Sequence, residues 1–183
     1  MRRMNLIVAM DSEGGIGKNG TLPWKIKKDM QYFASVTKQR NAVLMGRKCW
    51  ESIPEARRPL AGRLNIVLSR QLPEQKTDNL IFVNSLEAAL KLLAEPPFAE
   101  TIETIWNIGG AEIYDLALRE KLVDEIHLTR VFKNFEADVH LKSLDINKMQ
   151  KIISAEVSSE NSEIFEENGL QFEFGRWKIA EKN

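Results

Sequence analysis

The sequence predicts an α/β fold: a single domain with a mostly parallel central sheet, flanking helices and a C-terminal antiparallel hairpin. Three observations carry this. Short apolar runs recur at residues 5–10, 41–45, 64–68, 80–83, 104–108 and 125–131, and stretches of helical periodicity lie between several of them. Near-continuous apolar strands joined by helices mark parallel strands covered on both faces. The tail reads differently: it alternates over residues 152–157 and 170–177 with a polar turn at Glu167-Asn168-Gly169, the pattern of a hairpin added at the sheet edge. The 183 residues, 43% of them hydrophobic, suffice for one full core but not comfortably for two, and residues 1–183 are read as one domain.

The elements follow in order. Asn5 to Met10 is a short apolar strand. The Gly-rich loop Glu13 to Gly20 comes next, anchored by Leu22-Pro23-Trp24. Residues Lys25 to Thr37 form a helix, because Ile26, Met30, Phe33 and Ala34 recur on one face. Asn41 to Met45 is a second strand, broken by Gly46, and 64–68 and 80–83 are the third and fourth. Ser85 caps a helix carrying Leu86, Ala89, Leu90 and Leu93, stopped by Pro96-Pro97. The fifth strand ends at Gly109-Gly110, ahead of a helix from Ala111 to about Arg119 that buries Ile113, Tyr114, Ala117 and Leu118. The sixth strand, Glu125 to Val131, turns His127 outward between Ile126 and Leu128.

Lys plus Arg and Asp plus Glu each number 26, so the chain is not built to coat nucleic acid or an acidic membrane. The balance hides an asymmetry: residues 25–70 hold eleven Lys/Arg against three Asp/Glu, while residues 156–173 hold six Glu and no basic residue. A locally basic half suits an anionic small ligand. Cys49 is the single cysteine, which rules out an intrachain disulfide and points to a reducing, cytoplasmic setting. No stretch approaches the length of a transmembrane helix, and the N-terminus lacks the pattern of a signal peptide. The two histidines, His127 and His140, do not make a metal site, and no metal is expected.

The chemistry centres on Asp29. It shares the apolar face of its helix, where a carboxylate is costly unless something polar meets it. One reading is a first-turn acid favoured by the helix dipole; the other is a buried acid that meets a ligand. Ligands of open α/β sheets bind beyond the carboxyl ends of the strands. The second strand is followed by Gly46-Arg47-Lys48, the third by Ser69-Arg70 and the fifth by Gly109-Gly110 and a helix start. Two cationic ends and one glycine pair ahead of helix N–H groups describe a site for several phosphates. Gly15-Ile16-Gly17-Lys18-Asn19-Gly20 has G-x-G-x-x-G spacing but lacks the acidic residue that a dinucleotide fingerprint needs about twenty residues on, so a mobile loop beside a pocket suits it better. In the turn Arg57 to Arg63, one arginine could hold a carboxylate of a second ligand.

From about Met4 to Ile179 the chain resembles the dihydrofolate reductase family, of the eukaryotic type. The resemblance rests on Ile7-Val8-Ala9, Gly15 to Gly20, Leu22-Pro23-Trp24, Met45-Gly46-Arg47-Lys48, Trp50, Ser52-Ile53-Pro54, Arg58 to Arg63, Leu68-Ser69-Arg70, Ile108-Gly109-Gly110, Tyr114 and Leu128-Thr129-Arg130, in the family's order and spacing. It implies NADPH-dependent reduction of 7,8-dihydrofolate to tetrahydrofolate, in support of one-carbon metabolism. It also implies a cytoplasmic monomer with no obligate protein or nucleic-acid partner.

By position, the resemblance makes Asp29 the essential acid, with Thr129 bonded to it and Trp24 holding a water. Ile7, Val8, Ala9, Leu22, Met30, Phe33, Ile53 and Leu60 line the pterin and aminobenzoyl pocket, and Arg63 pairs with the glutamate α-carboxylate. Arg47, Ser69 and Arg70 take the 2′-phosphate, while Lys48 and the helix opened by Gly109, Gly110, Ala111, Glu112 and Ile113 take the pyrophosphate. Ala9, Ile16, Gly20, Gly46, Cys49, Leu68, Ile108 and Tyr114 complete the cofactor's surroundings, and the Gly109-Gly110 peptide is expected to be cis.

Three residues depart from the pattern. The acid is Asp, five residues after Trp24, where vertebrate members carry Glu one residue further on. Cys49 replaces a usual Thr, and Glu112 adds negative charge near the phosphates. Two rival readings remain: a non-catalytic folate or NADPH binding module, and an NADPH-dependent reductase acting on a pyrimidine of riboflavin synthesis.

Overall fold

Strand β1 (Met4–Met10) lies inside a ten-stranded sheet and pairs in parallel with β7 (Thr104–Asn107) on one side and β8 (Val123–Val131) on the other. The structure is a computed structural model that describes residues 2–73, 75–153 and 163–179. Beyond β7 the parallel run continues through β3 (Asn41–Gly46), β4 (Leu64–Leu68) and β6 (Leu80–Val83), which β5 (Gln75–Lys76) closes antiparallel at the edge. Chain order thus reverses around β1: the chain moves out through β3, β4 and β6, returns to insert β7 and then crosses to β8. A crevice forms at such a switch point, beyond the strands' carboxyl ends.

Both faces of the parallel core are covered, which explains why its strands do not alternate. Leu6, Val8, Leu44 and Ile66 pack on one face with α3 (Leu86–Leu93) and α5 (Ala111–Arg119). Ile7, Val43, Met45, Val67 and Trp106 pack on the other with Tyr32, Phe33 and Val36 of α1 (Lys27–Thr37) and with Cys49 and Trp50 of α2 (Arg47–Ser52). Ser85 caps α3 by accepting from the Ala88 N–H, as expected, and α5 has the expected bounds. Residues 47–52 were not expected to be helical. The turn α4 (Phe98–Thr101) follows the cis Pro96-Pro97 bond.

The tail holds the antiparallel hairpin with a different partner. β11 (Ile164–Glu167) turns at Asn168-Gly169 into β12 (Leu170–Ile179), which pairs antiparallel with β8 on one edge and with β10 (Met149–Lys151) on the other. Of the expected partner 152–157, residues 152 and 153 are outside any strand and 154–157 lie outside the described residues.

Two further corrections concern side chains. His127 is buried at 7% exposure, because α1 covers its face of β8. Met30 is half exposed; the arc of α1 that turns inward is Asp29, Tyr32, Phe33, Val36 and Thr37. The N-cap of α1 is Ile26, which has no side-chain oxygen to give, and Glu167 from the distant hairpin supplies the carboxylate instead. Its two oxygens accept from the N–H groups of Lys27 and Lys28 at 2.6 and 3.1 Å. Those bonds hold Glu167 below the usual carboxylate range.

Candidate active site

Asp29 is the third residue of α1 and only 8% exposed. It faces Thr129 on β8, whose Oγ1 donates to Asp29 Oδ1 at 2.7 Å. Burial pushes the carboxyl above its ordinary pKa, and the Thr129 bond pulls the other way. An acid raised by burial beside a cleft is a candidate for proton exchange. Trp24, 5% exposed, packs on Phe135 with ring centroids 5.3 Å apart, and its buried indole N–H has no protein partner among the described residues. A cleft of about 850 Å³ opens in front, with Leu22, Trp24, Asp29, Met30, Pro54 and Arg57 in its lining. The half-exposed Met30 belongs to this opening. Behind it, Ile7 and Phe33 lie in the core shared with Ile53 and Leu60, while Val8 faces the opposite core and Ala9 packs beside Trp24.

Arg63 sits at the far end of α1, 8% exposed. Its Nη1 donates to Thr37 Oγ1, its Nε donates to Ala61 O at 3.1 Å, and its guanidinium lies 5.8 Å from the Phe33 ring. Burial lowers its pKa from the usual arginine range, because desolvation disfavours the charged form. Asn65, fully buried in β4, brackets this turn: it accepts from Leu60 N–H at 2.9 Å and donates to Leu60 O and Arg63 O at 2.9 and 3.1 Å. Sequence reasoning missed Asn65; the signal was a lone amide inside an otherwise apolar strand.

On the other side, Gly46 and Leu68 are register partners on adjacent parallel strands, so Arg47 and Ser69 emerge side by side. Ser69 is buried and its Oγ accepts from Gln71 and Leu72 N–H, which turns the chain and leaves Arg70 exposed. Arg47 Nη1 bonds both oxygens of Glu51 at 2.8 and 2.7 Å, a competitor the sequence did not reveal. Lys48 is exposed on α2. The Gly109-Gly110 peptide is cis, as expected. Gly46 N–H donates to Gly109 O at 2.8 Å, and a Cβ at Gly109 would meet the Tyr114 ring at 2.7 Å. A Cβ at Gly110 would meet nothing within 4 Å, so this peptide faces open space. Asn107, also missed, holds the turn by accepting from Gly109 N–H at 3.0 Å and donating to Ile113 O at 3.1 Å. Tyr114 OH donates to Ile7 O at 2.7 Å, tying α5 to the Asp29 side of the cleft. Bare backbone flanked by Arg47, Ser69 and Arg70 fits an extended, phosphate-bearing group.

The dihydrofolate reductase family profile matches residues 3–178. The chain belongs to the dihydrofolate reductase family. It is 80% identical over its whole length to a Caenorhabditis elegans protein that carries a provisional dihydrofolate reductase name, all of which it covers. It is 38% identical to the dihydrofolate reductase of Sus scrofa, with both chains fully covered. Among solved structures, that of Schistosoma mansoni dihydrofolate reductase superposes with a TM-score of 0.84 at 36% identity, covering 98% of this chain and 99% of the other.

Three further local features complete the surroundings of the site. Burial pushes the Cys49 thiol up to about 11, and its Sγ lies 3.6 Å from Ile108 O, so it is a packed thiol. Glu112 is exposed in the first turn of α5, with Ala111 and Ile113 half-buried around it. The Gly-rich loop is pinned at its base: Gly15–Gly17 forms strand β2 against β9 (Val139–His140), and the buried Asp11 accepts from Glu13, Gly15 and Phe135 N–H at 2.9, 2.7 and 3.2 Å. Ile16 packs against the core behind it, and Gly20 lies at the exposed tip.

Proposed function

We propose that this chain reduces 7,8-dihydrofolate to 5,6,7,8-tetrahydrofolate with NADPH, acting as a cytoplasmic monomer that supplies reduced folate for thymidylate and purine synthesis. The observation that carries the reading is the buried Asp29–Thr129 pair at 2.7 Å on the wall of the cleft. Asp29 accepts from the pterin 2-amino group and ring nitrogen. Thr129 holds the carboxylate in that orientation. Trp24 offers its unpaired indole N–H to a water, and a carboxyl with a raised pKa passes a proton by that route toward pterin N5. NADPH, when bound, supplies the hydride that pterin C6 receives. Ile7, Phe33, Ile53 and Leu60 hold the flat substrate and keep bulk water from it. Arg47, Ser69 and Arg70 take the 2′-phosphate, and the Gly109-Gly110 edge takes the pyrophosphate. No helix among the described residues is long and apolar enough to cross a membrane.

Mixing the protein with dihydrofolate and NADPH is expected to consume the reduced nicotinamide absorbance in proportion to enzyme. Binding of both ligands without turnover would leave a binding module instead.

Arg63→Ala is expected to raise KM for dihydrofolate about a hundredfold while moving that for NADPH little. Loss of a buried charge-assisted pair costs a few kcal/mol, and ~1.4 kcal/mol is tenfold. The control is a dihydropterin without the glutamate tail. If that substrate suffers equally, Arg63 acts through Thr37 and Ala61 on the fold and not on a carboxylate.

A further inference from the structure

Two hydrogen bonds join α1 to β8 side by side. Thr129 Oγ1 donates to Asp29 Oδ1 at 2.7 Å, and Tyr32 Oη lies 2.7 Å from His127 Nδ1. The helix partners are three residues apart and the strand partners two, so the bonds are separate anchor points roughly 5 to 7 Å apart along the two elements. Glu167 holds the start of α1 and Arg63 bonds Thr37 at its end, and the Asp29–Thr129 and Tyr32–His127 bonds set the rotation of the stretch between them that carries Asp29 against β8.

The direction of the second bond follows from its surroundings. His127 Nε2 faces Glu125 Oε2 at 3.5 Å, and Glu125 is held by Arg176 Nη2 at 2.7 Å. An ionised carboxylate only accepts, so Nε2 carries the imidazole proton, Nδ1 presents its lone pair and the Tyr32 hydroxyl donates. The Trp106 ring stands edge-on to the imidazole at 4.7 Å. The groups facing His127 are therefore Tyr32 from α1, Glu125 on its own strand, Arg176 from β12 and Trp106 from β7, with Asp29 one helical turn before Tyr32. Burial, with Arg176 adding to it, holds His127 down at about 4, so the ring is neutral at physiological pH and the bond from Tyr32 is intact.

We infer that His127 is a positioning residue for Asp29, acting through Tyr32. The inference rests on Asp29 as the acid. The roles divide along β8: Thr129 touches the carboxylate, and His127 holds the helix that presents it. The sequence hid this, because a histidine between two apolar strand residues reads as solvent-facing.

The test uses two variants of the full chain. His127→Phe fills the ring's volume but leaves the Tyr32 hydroxyl without its acceptor, and Tyr32→Phe removes the donor alone. In both, kcat/KM for dihydrofolate is expected to fall about tenfold, on the scale of one lost hydrogen bond to a buried group. The pH limb that reports Asp29 is expected to move up by roughly half a unit or more, because a loosened Thr129 bond no longer lowers that carboxyl. KM for NADPH should stay. The double variant leaves no buried group unpaired, so its Tm should recover toward the parent while the limb stays shifted. If Tyr32→Phe keeps both the parent kcat/KM and the parent pH limb, the pair is a packing contact only and the inference falls, whatever happens to Tm. Asp29→Asn, run beside them, separates the two claims: full activity there removes the acid itself. An inactive Asp29→Asn with an unaffected Tyr32→Phe removes only the role given to His127.

Discussion

Asp29→Asn is expected to fold, bind NADPH as the parent does, and lose about a hundredfold or more in turnover at neutral pH. Proton transfer by a placed side chain contributes on that scale, and among the described residues only Asp29 combines burial, a raised pKa and a place on the cleft wall. The loss should shrink as pH falls, because dihydrofolate then arrives already protonated. Stability should move the opposite way. The folded-state pKa of Asp29 lies above its unfolded value of 3.8, so folding disfavours the ionised form. That penalty is absent below the unfolded value, grows as pH rises through the window between the two, and is complete above the folded one. Asn removes the charge yet still accepts from Thr129 Oγ1, so the variant should melt higher than the parent at neutral pH and show no such gain in acid. A parent-like rate at neutral pH would take Asp29 out of the mechanism.

Arg47→Ala/Arg70→Ala is expected to weaken NADPH strongly and leave NADH nearly unchanged. The two cofactors differ only in the 2′-phosphate, and the adjacent ends of β3 and β4 bring Arg47, Ser69 and Arg70 to one edge. Charge-assisted bonds contribute roughly 1.5–3 kcal/mol each. Arg70 is exposed and Arg47 must be drawn away from Glu51, which pulls the net effect toward the lower end. The ratio of kcat/KM for NADPH over NADH should still fall at least about tenfold. An unchanged ratio would make both arginines solvated surface.

The long elements were legible because each carries its own signal. Ser85 and Pro96-Pro97 bracket α3, and Gly109-Gly110 opens α5, so both helices were read with the bounds observed. The six residues of α2 are too short to show a period. β2 and β9 are defined only by pairing across more than a hundred residues. Alternation located β8 but could not tell that α1 covers its His127 face. At the site, residue type pointed to Asp29, Arg47, Arg70 and one arginine of the turn Arg57 to Arg63, and only the family resemblance singled out Arg63. Asn65, Asn107 and Glu51 matter only through which backbone or side-chain atoms the fold sets beside them, and an isolated sequence does not print those neighbours.

The bond from Glu167 to the first N–H groups of α1 spans some 140 residues, and β12 lies along β8 with Phe174 opposite Thr129. Both of these supports therefore follow Asp29 in the chain by well over a hundred residues. While the chain emerges from a ribosome, Asp29 precedes them, on a helix whose first N–H groups lack Glu167 and ahead of a strand whose edge lacks β12. The surroundings of Asp29 are completed only when the hairpin closes on both elements, so chains stopped short of it carry Asp29 and Thr129 without that frame.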